Sequence, residues 1–290
     1  MSASRRRRRP FARTTALRNV LMAVVGVPLV AALVGATTVG EPLAPAAATG
    51  AAAVRVGDPQ AAVATSVPAS RLGAAQRASL DRRVGALFSA TANNSHFCTA
   101  SVVEGGGGDL VMTAAHCVYD PRRARGRAGL RFVPGYRNGR SPFGSWRVVS
   151  MTIDARWRTS GDPDLDVAFV RVAPNSARTL RDVVGVNRLD FAVAGRPVVR
   201  VTGYPRAADA PVACWHAVTW HSATQLRVAC RGLATGTSGS PWVESFDPVR
   251  GQGLVVGLVA GFEGGGATDD VSYSPRLSEA VRSLYARAMR

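Results

Sequence analysis

The chain has 290 residues, 36 basic against 19 acidic side chains and a formal charge of +17, and every basic residue other than the four histidines is arginine. Its 47% hydrophobic and 19% charged residues are those of a folded globular protein rather than a disordered one. Thirty glycines and seventeen prolines argue against an all-helical bundle, and four cysteines are too few for a scaffold held by disulfides alone.

The basic excess is concentrated first at the N-terminus. Residues 1–48 hold seven arginines (Arg5 to Arg9, Arg13 and Arg18) against one acid, Glu41. Residues 19–40 then carry no charge, and 21–36 are apolar throughout. A basic start, an apolar centre and small residues after it form an export signal, with Pro45-Ala46-Ala47-Ala48 offering cleavage after Ala48. The uncharged run is also long enough to span a bilayer, with the arginines holding its start in the cytoplasm. A cleaved signal and a retained anchor therefore both fit residues 1–48. Arg8-Arg9-Pro10-Phe11 loosely resembles a twin-arginine export motif. Either way the rest of the chain is expected outside the cytoplasm, secreted or anchored at the outer face of the membrane.

Residues 49–83 are rich in alanine and read as a linker or pro-segment. Arg82-Arg83 at its end reads as a processing point or as two solvated arginines. From Val84 the apolar runs are short, β-branched and separated by glycine and proline. Strands are expected at 99–103, 110–113, 146–153, 167–172, 198–202, 225–229 and 254–259, which points to a sandwich or barrel. At the end, Ser274 is placed to cap a helix with Pro275 in its first turn. Leu277, Val281, Leu284 and Tyr285 would then share one face of it.

The other basic concentration is Arg122, Arg123, Arg125, Arg127 and Arg131. No nucleic-acid motif or aromatic stacking pattern accompanies it, so it reads as a solvated face and no nucleic-acid partner is expected. Four cysteines allow three pairings; sequential pairing, Cys98 with Cys117 and Cys214 with Cys230, closes two short loops. A zinc site competes, but no C-x-x-C spacing supports it. His96, His216 and His221 match no motif and read as surface or structural residues. Trp146, Trp157, Trp215, Trp220 and Trp242 read as core or cleft-wall residues.

Three stretches carry chemistry together: Thr113-Ala114-Ala115-His116-Cys117 after an apolar strand, Asp164-Leu165-Asp166-Val167-Ala168 before another, and Gly236-Thr237-Ser238-Gly239-Ser240-Pro241. A serine hydroxyl needs a base to take its proton, and that base needs a third group to hold its tautomer and stabilise its positive form. Histidine and a carboxylate suit those two tasks. Glycines beside the serine let backbone N–H groups point at a developing oxyanion.

The order His, Asp, Ser with these motifs resembles the chymotrypsin/trypsin superfamily of serine endopeptidases, and in particular its secreted bacterial branch. TAAHC matches the histidine motif at every position, DVAFV resembles the Asp-x-Ala strand, and GTSGSP matches the nucleophile motif apart from Thr237. The resemblance covers about Val84 to Arg290. It implies an all-β protein of two antiparallel six-stranded barrels with a C-terminal helix and a cleft between the barrels. It further implies catalysis by His116, Asp166 and Ser238, an oxyanion hole from the N–H groups of Gly236 and Ser238, and no metal or organic cofactor. Protein or peptide substrates and a monomer are expected, with membrane contact only through an uncleaved N-terminal segment.

Departures from the pattern narrow that expectation. Trypsin's relatives carry aspartate immediately before the nucleophile to receive a new N-terminal amine, and Thr237 stands there. Trypsin itself binds cationic side chains through an acid six residues before the serine, and Gly232 stands there. The glutamyl-specific relatives use a histidine where this chain has Leu258-Val259-Ala260-Gly261. A pocket formed by Gly232, Leu233, Val259, Ala260 and Gly261 would be mostly apolar. Two other classes remain to be weighed. A catalytically silent binding protein of the same fold would keep the residues without the reaction. An α/β-hydrolase esterase wants G-x-S-x-G and the order Ser, Asp, His, and this chain has neither.

Overall fold

Short β-branched runs bury both alternate faces only if their strands close on themselves or are covered, and the first half of the body closes. Val84–Phe88 (β1), His96–Val102 (β2), Leu110–Thr113 (β3), Arg131–Pro134 (β4), Trp146–Ile153 (β5) and Ala168–Val172 (β6) form an antiparallel barrel. Its order is β1-β2-β3-β6-β5-β4 and back to β1. Leu87, Ala100, Val102, Met112, Phe132, Trp146 and Phe169 fill the interior, as a barrel of this size requires. The computed structural model describes residues 73, 76–77, 81–90, 95–175 and 177–290, within one unit spanning Ala62–Arg290. The signal or anchor of residues 1–48, its cleavage point and most of the linker lie outside the described residues. Among the described residues no helix is long and apolar enough to cross a membrane.

The second half is built from Val198–Gly203 (β7), Val212–Ala217 (β8), Gln225–Val228 (β9), Pro241–Asp247 (β10), Gln252–Leu258 (β11) and Ser272–Pro275 (β12). One sheet runs Gln76–Arg77, β8, β7, β10, β11, Arg188–Leu189; a second runs Thr219–Trp220, β9, β12. The Leu258 N–H donates to Ser274 Oγ (2.9 Å), and the Ala260 N–H to the Tyr273 carbonyl (3.0 Å). These bonds fold the two sheets around a core of Val199, Val201, Leu226, Val228, Trp242 and Val256. The expected all-β, two-module architecture is present. The first module closes by a continuous ladder, the second by bonds at strand ends.

The strands expected at 110–113 and 146–153 fall on those residues, and the others shift by one to three residues at an end. The closing helix departs more. It runs over Glu279–Ala288 with Ser278 at its N-cap, while Ser274 lies in β12, where its hydroxyl accepts from Leu258 N–H and donates to the Pro275 carbonyl. A hydroxyl and backbone committed to strand pairing cannot also cap a helix, so the helix begins after β12 ends. Its expected face is the one that packs: Leu277, Val281 and Leu284 join the core of the first barrel and Tyr285 leans on it. Arg171 donates to the Ala288 carbonyl (2.8 Å) and so satisfies the helix C-terminus.

Cys98 bonds Cys117 and Cys214 bonds Cys230. Loops of this size give about 3 kcal/mol each in the chain-entropy account. The arginine pair at 82–83 differs from its expected reading. Arg83 is 6% exposed, and its guanidinium donates to the carbonyls of Arg250 and Gly251 (2.6 and 2.9 Å). Burial lowers its pKa from the ordinary value, with the carboxylate of Asp81 acting against that shift. Asp81 is itself buried and pairs with Arg200 at 2.8 Å. The folded body thus includes residues before Val84, and Arg83 is one of its internal ties rather than a solvated residue.

Candidate active site

His116 sits in a one-turn helix, Ala115–Val118, directly after β3, and the Cys98–Cys117 disulfide fixes that turn to β2. Asp166 ends a short 3-10 turn, Pro163–Leu165, ahead of β6. Because β3 and β6 are paired neighbours, their adjoining ends bring the two residues together. The Asp166 carboxylate is buried and accepts three N–H groups. These are His116 backbone N–H to Oδ1 (2.9 Å), His116 Nδ1 to Oδ2 (2.7 Å), and Gly261 N–H to Oδ2 (3.0 Å). An ionised carboxylate only accepts, so Nδ1 carries the proton and Nε2 keeps a lone pair in the neutral ring. Asp162 and Asp164 are occupied elsewhere. Asp162 caps the turn through Asp164 N–H (3.0 Å), and Asp164 accepts from Gln225 Nε2 (2.6 Å).

Ser238 lies on the other module, in the loop before β10. Its carbonyl accepts from Thr99 N–H (2.8 Å), and the next N–H, of Gly239, donates to the Val259 carbonyl (2.7 Å). Those two groups belong to one trans peptide and point in opposite directions. The serine loop is therefore held between β2 on one side and residues 259–261 on the other. His116, Ser238 and Gly236 line one cavity of about 340 Å³, together with Ser89, Phe97, Cys98, Arg127, Arg206 and Thr235. Cys117 Sγ, held in the disulfide, lies 3.8 Å from the Ser238 carbonyl, so the histidine turn and the serine loop are in contact.

Glycine is needed at both ends of that loop. A Cβ on Gly239 (φ 87°) would lie 2.1 Å from the Thr99 carbonyl oxygen, and one on Gly236 (φ 104°) 2.6 Å from Arg206 N. The N–H groups of Gly236 and Ser238 have no acceptor among the described residues. Two free backbone donors beside a cavity are what an oxyanion site requires. Thr237 is buried, and its hydroxyl donates within the loop to the carbonyls of Leu233 and Ala234.

Thr99 and the Gly261 N–H are parts of this arrangement that the sequence analysis missed. Thr99 Oγ1 donates to the Gly236 carbonyl (3.0 Å) and accepts from Tyr204 N–H (2.9 Å), while its carbonyl accepts from Thr113 Oγ1 (2.8 Å). One wholly buried threonine thereby joins the two modules behind the serine loop. A threonine in a β-strand carries no signal of its own, and only tertiary contact reveals it. Thr99→Val keeps the shape and removes the hydroxyl, leaving a buried carbonyl and N–H unpaired. It should destabilise the fold by about 1–3 kcal/mol, read as a lower denaturation midpoint at unchanged m-value.

The remaining expected residues fall as follows. Leu233, Val259 and Ala260 are buried, Gly232 is exposed with its N–H on the Asp269 carbonyl (2.8 Å), and none of these or Gly261 lines the 340 Å³ cavity. His96 is buried against the Pro205 carbonyl (3.0 Å), and His216 bonds the Ala217 carbonyl (2.7 Å). His221 packs between Phe262 and Tyr273. Trp157 is buried and lines a second cavity on the His116 side, whereas Trp220 is 46% exposed under the Arg276 guanidinium. Trp220 thus belongs to neither core nor cleft wall, because its two-residue strand lies at a sheet edge. Nearby, burial pushes the Tyr204 phenol far above its ordinary pKa, so it stays neutral. Cys98, His116 and Cys117 offer ligand atoms within 4.8 Å of one another, but both sulfurs are joined in the disulfide and supply no thiolate.

Residues 98–258 match the family model of the trypsin-like peptidase domain. No curated protein sequence matches the chain. Among solved structures, a protease from Arthrobacter nicotinovorans is 23% identical with a TM-score of 0.64, covering 74% of this chain and 99% of that one. A thermostable serine protease from an extremophilic microorganism is 23% identical with a TM-score of 0.64, covering 72% of this chain and 97% of its own. The human heparin binding protein is 16% identical with a TM-score of 0.54, covering 73% and 95% respectively. At these identities the structures speak for the fold; the match of the family model over more than half of the chain speaks for membership. The chain belongs to the trypsin-like peptidase domain family.

Proposed function

We propose that this protein is an exported serine endopeptidase working through an acyl-enzyme. Ser238 Oγ attacks the peptide carbonyl while His116 Nε2 takes its proton. Asp166 holds the imidazole in the Nδ1–H tautomer and stabilises the imidazolium. The N–H groups of Gly236 and Ser238 receive the oxyanion; loss of one such donor typically costs about 2.7–4 kcal/mol of barrier. His116 then gives its proton to the leaving amine, the C–N bond breaks, and water repeats the cycle on the ester. The observation that carries this reading is the buried Asp166 carboxylate at 2.7 Å from Nδ1 of a histidine that shares its cavity with Ser238. Two disulfides and the basic-apolar N-terminal sequence support export, since disulfides persist in oxidising compartments.

A second reading, a catalytically silent anion-binding module, is favoured by two observations. They are the likeness in fold to a heparin binding protein and the exposed arginines Arg122, Arg123 and Arg125. A fluorophosphonate probe separates the two. The folded wild type should be labelled on Ser238 and the Ser238→Ala variant should not. Equal labelling of both, or none of either, removes the endopeptidase reading.

A further inference from the structure

The cavity beside Ser238 carries a charge pattern that the reaction does not use. Arg127 and Arg206 both line it, one after the two-residue strand Arg125–Gly126 and one in the loop after β7. No acid lines it, and neither arginine forms an ion pair among the described residues. The Arg127 guanidinium rests over the Phe97 ring at 5.2 Å, a stacking that orients it. The Arg206 backbone is anchored by its N–H on the Thr235 carbonyl (2.7 Å), one residue before Gly236. Two arginines, one stacked on Phe97 and one anchored through its backbone, line a recess of about 340 Å³ that no acid among the described residues lines, and so make a site of positive potential.

Which part of a substrate enters follows from His116. If Ser238 is the nucleophile, the imidazole must stand beside the leaving nitrogen, because it donates the proton there. The cavity that His116 itself lines, on the Phe97 and Cys98 side of the serine loop, then receives the chain beyond that nitrogen. Residues 259–261 lie on the far side of the loop and are left to the acyl portion.

We infer that this recess binds a carboxylate on the leaving-group side of the scissile bond, held by Arg127 and Arg206. The carboxylate is either an Asp or Glu side chain in the first or second residue after the bond, or the α-carboxylate of a chain that ends there. Guanidinium and carboxylate match as paired donors and acceptors. For pairs this exposed, a preference of roughly fivefold to tenfold over the neutral isostere is expected, and salt should weaken it. The inference rests on the proposed reaction for its direction, though not for the existence of the anion site.

The test uses the folded full chain and internally quenched peptides differing at one place. One pair carries Glu or Gln in the first or second position after the cleaved bond, with amidated ends. Another ends at the second residue as a free acid or an amide. The carboxylate member of a pair should show the higher kcat/KM, and the pair that responds identifies the source. The ratio should fall to near one in R127Q/R206Q, and R206E should shift preference toward Lys at the same position. Binding of the same peptides to Ser238→Ala, followed by fluorescence anisotropy, is read in parallel and needs no turnover. Acid-selective binding that depends on the two arginines, without any cleavage by wild type, would keep the anion site and discard the protease reading. Equal kcat/KM and equal binding for acid and neutral peptides, or a preference that survives in R127Q/R206Q, would overturn the inference while leaving the protease reading intact.

Discussion

Asp166→Asn is expected to lower kcat by about 10⁴, the scale of the same replacement in the Ser-His-Asp template, with the fold retained. The effect follows from a single distance. Asp166 Oδ2 lies 2.7 Å from His116 Nδ1, and as a pure acceptor it would leave Nε2 free for the proton transfer from Ser238 that we propose. An amide can turn its NH₂ toward Nδ1, which favours the tautomer with the proton on Nε2, where it blocks the transfer. The three N–H donors around the carboxylate make the variant less stable as well, by about 1–3 kcal/mol if one donor is left facing an amine. Steady-state kinetics beside a thermal melt separate the two effects. Activity near wild type with an intact fold would reassign the acid to Asp164 or Asp162. Each of those is already held by other donors.

Asp81→Ala should destabilise the fold by about 3–5 kcal/mol, more than the loss of the Thr99 hydroxyl. Arg200 is 2% exposed, bonded to Asp81 at 2.8 Å, and stacked between the rings of Phe246 (4.3 Å) and Trp215 (5.3 Å). Removing the carboxylate takes from a guanidinium deep in the second module the counter-charge it bonds at 2.8 Å. At roughly 2–4 °C per kcal/mol for a domain of this size, the melting temperature should drop by about 10 °C. The double variant Asp81→Leu with Arg200→Met should recover most of that loss, because replacing a buried pair by apolar groups is often neutral. A melting temperature within 2 °C of wild type for Asp81→Ala would show that the pair is not buried in solution. The same argument bears on processing. A mature chain beginning at Val84 would lack Asp81 and Arg83 together, so a stable product should begin before Asp81.

The candidate site was largely legible because its chemistry lies in short local motifs. A histidine before a cysteine, an acid before an apolar strand and a serine between glycines each keep their meaning along a few residues. The strands at 110–113 and 146–153 were legible for a similar reason, since turn residues bound them closely. Arg131–Pro134, Val212–Ala217, Pro241–Asp247 and Ser272–Pro275 were not read as strands. Proline at an end of Arg131–Pro134, Pro241–Asp247 and Ser272–Pro275, and Pro211 just before Val212, signals a turn locally, and only partners across the sheet outweigh it. Ser274 shows the same competition, for its hydroxyl looks like a helix cap until β11 claims it.

By itself, then, the sequence determined the class of fold and the residue types available for proton transfer and nucleophilic attack, and it offered sequential pairing of the four cysteines as the one of three that closes short loops. Those depend on periodicity, residue chemistry and loop length, all of which are local. Tertiary structure alone decided that Thr99 couples the modules, that the Gly261 N–H completes the shell of Asp166, that Arg83 and Asp81 are interior, and that two arginines flank Ser238. Each of these joins residues between 32 and 168 positions apart. Such contacts arise only when burial forces polar groups to find partners wherever the folded chain supplies them.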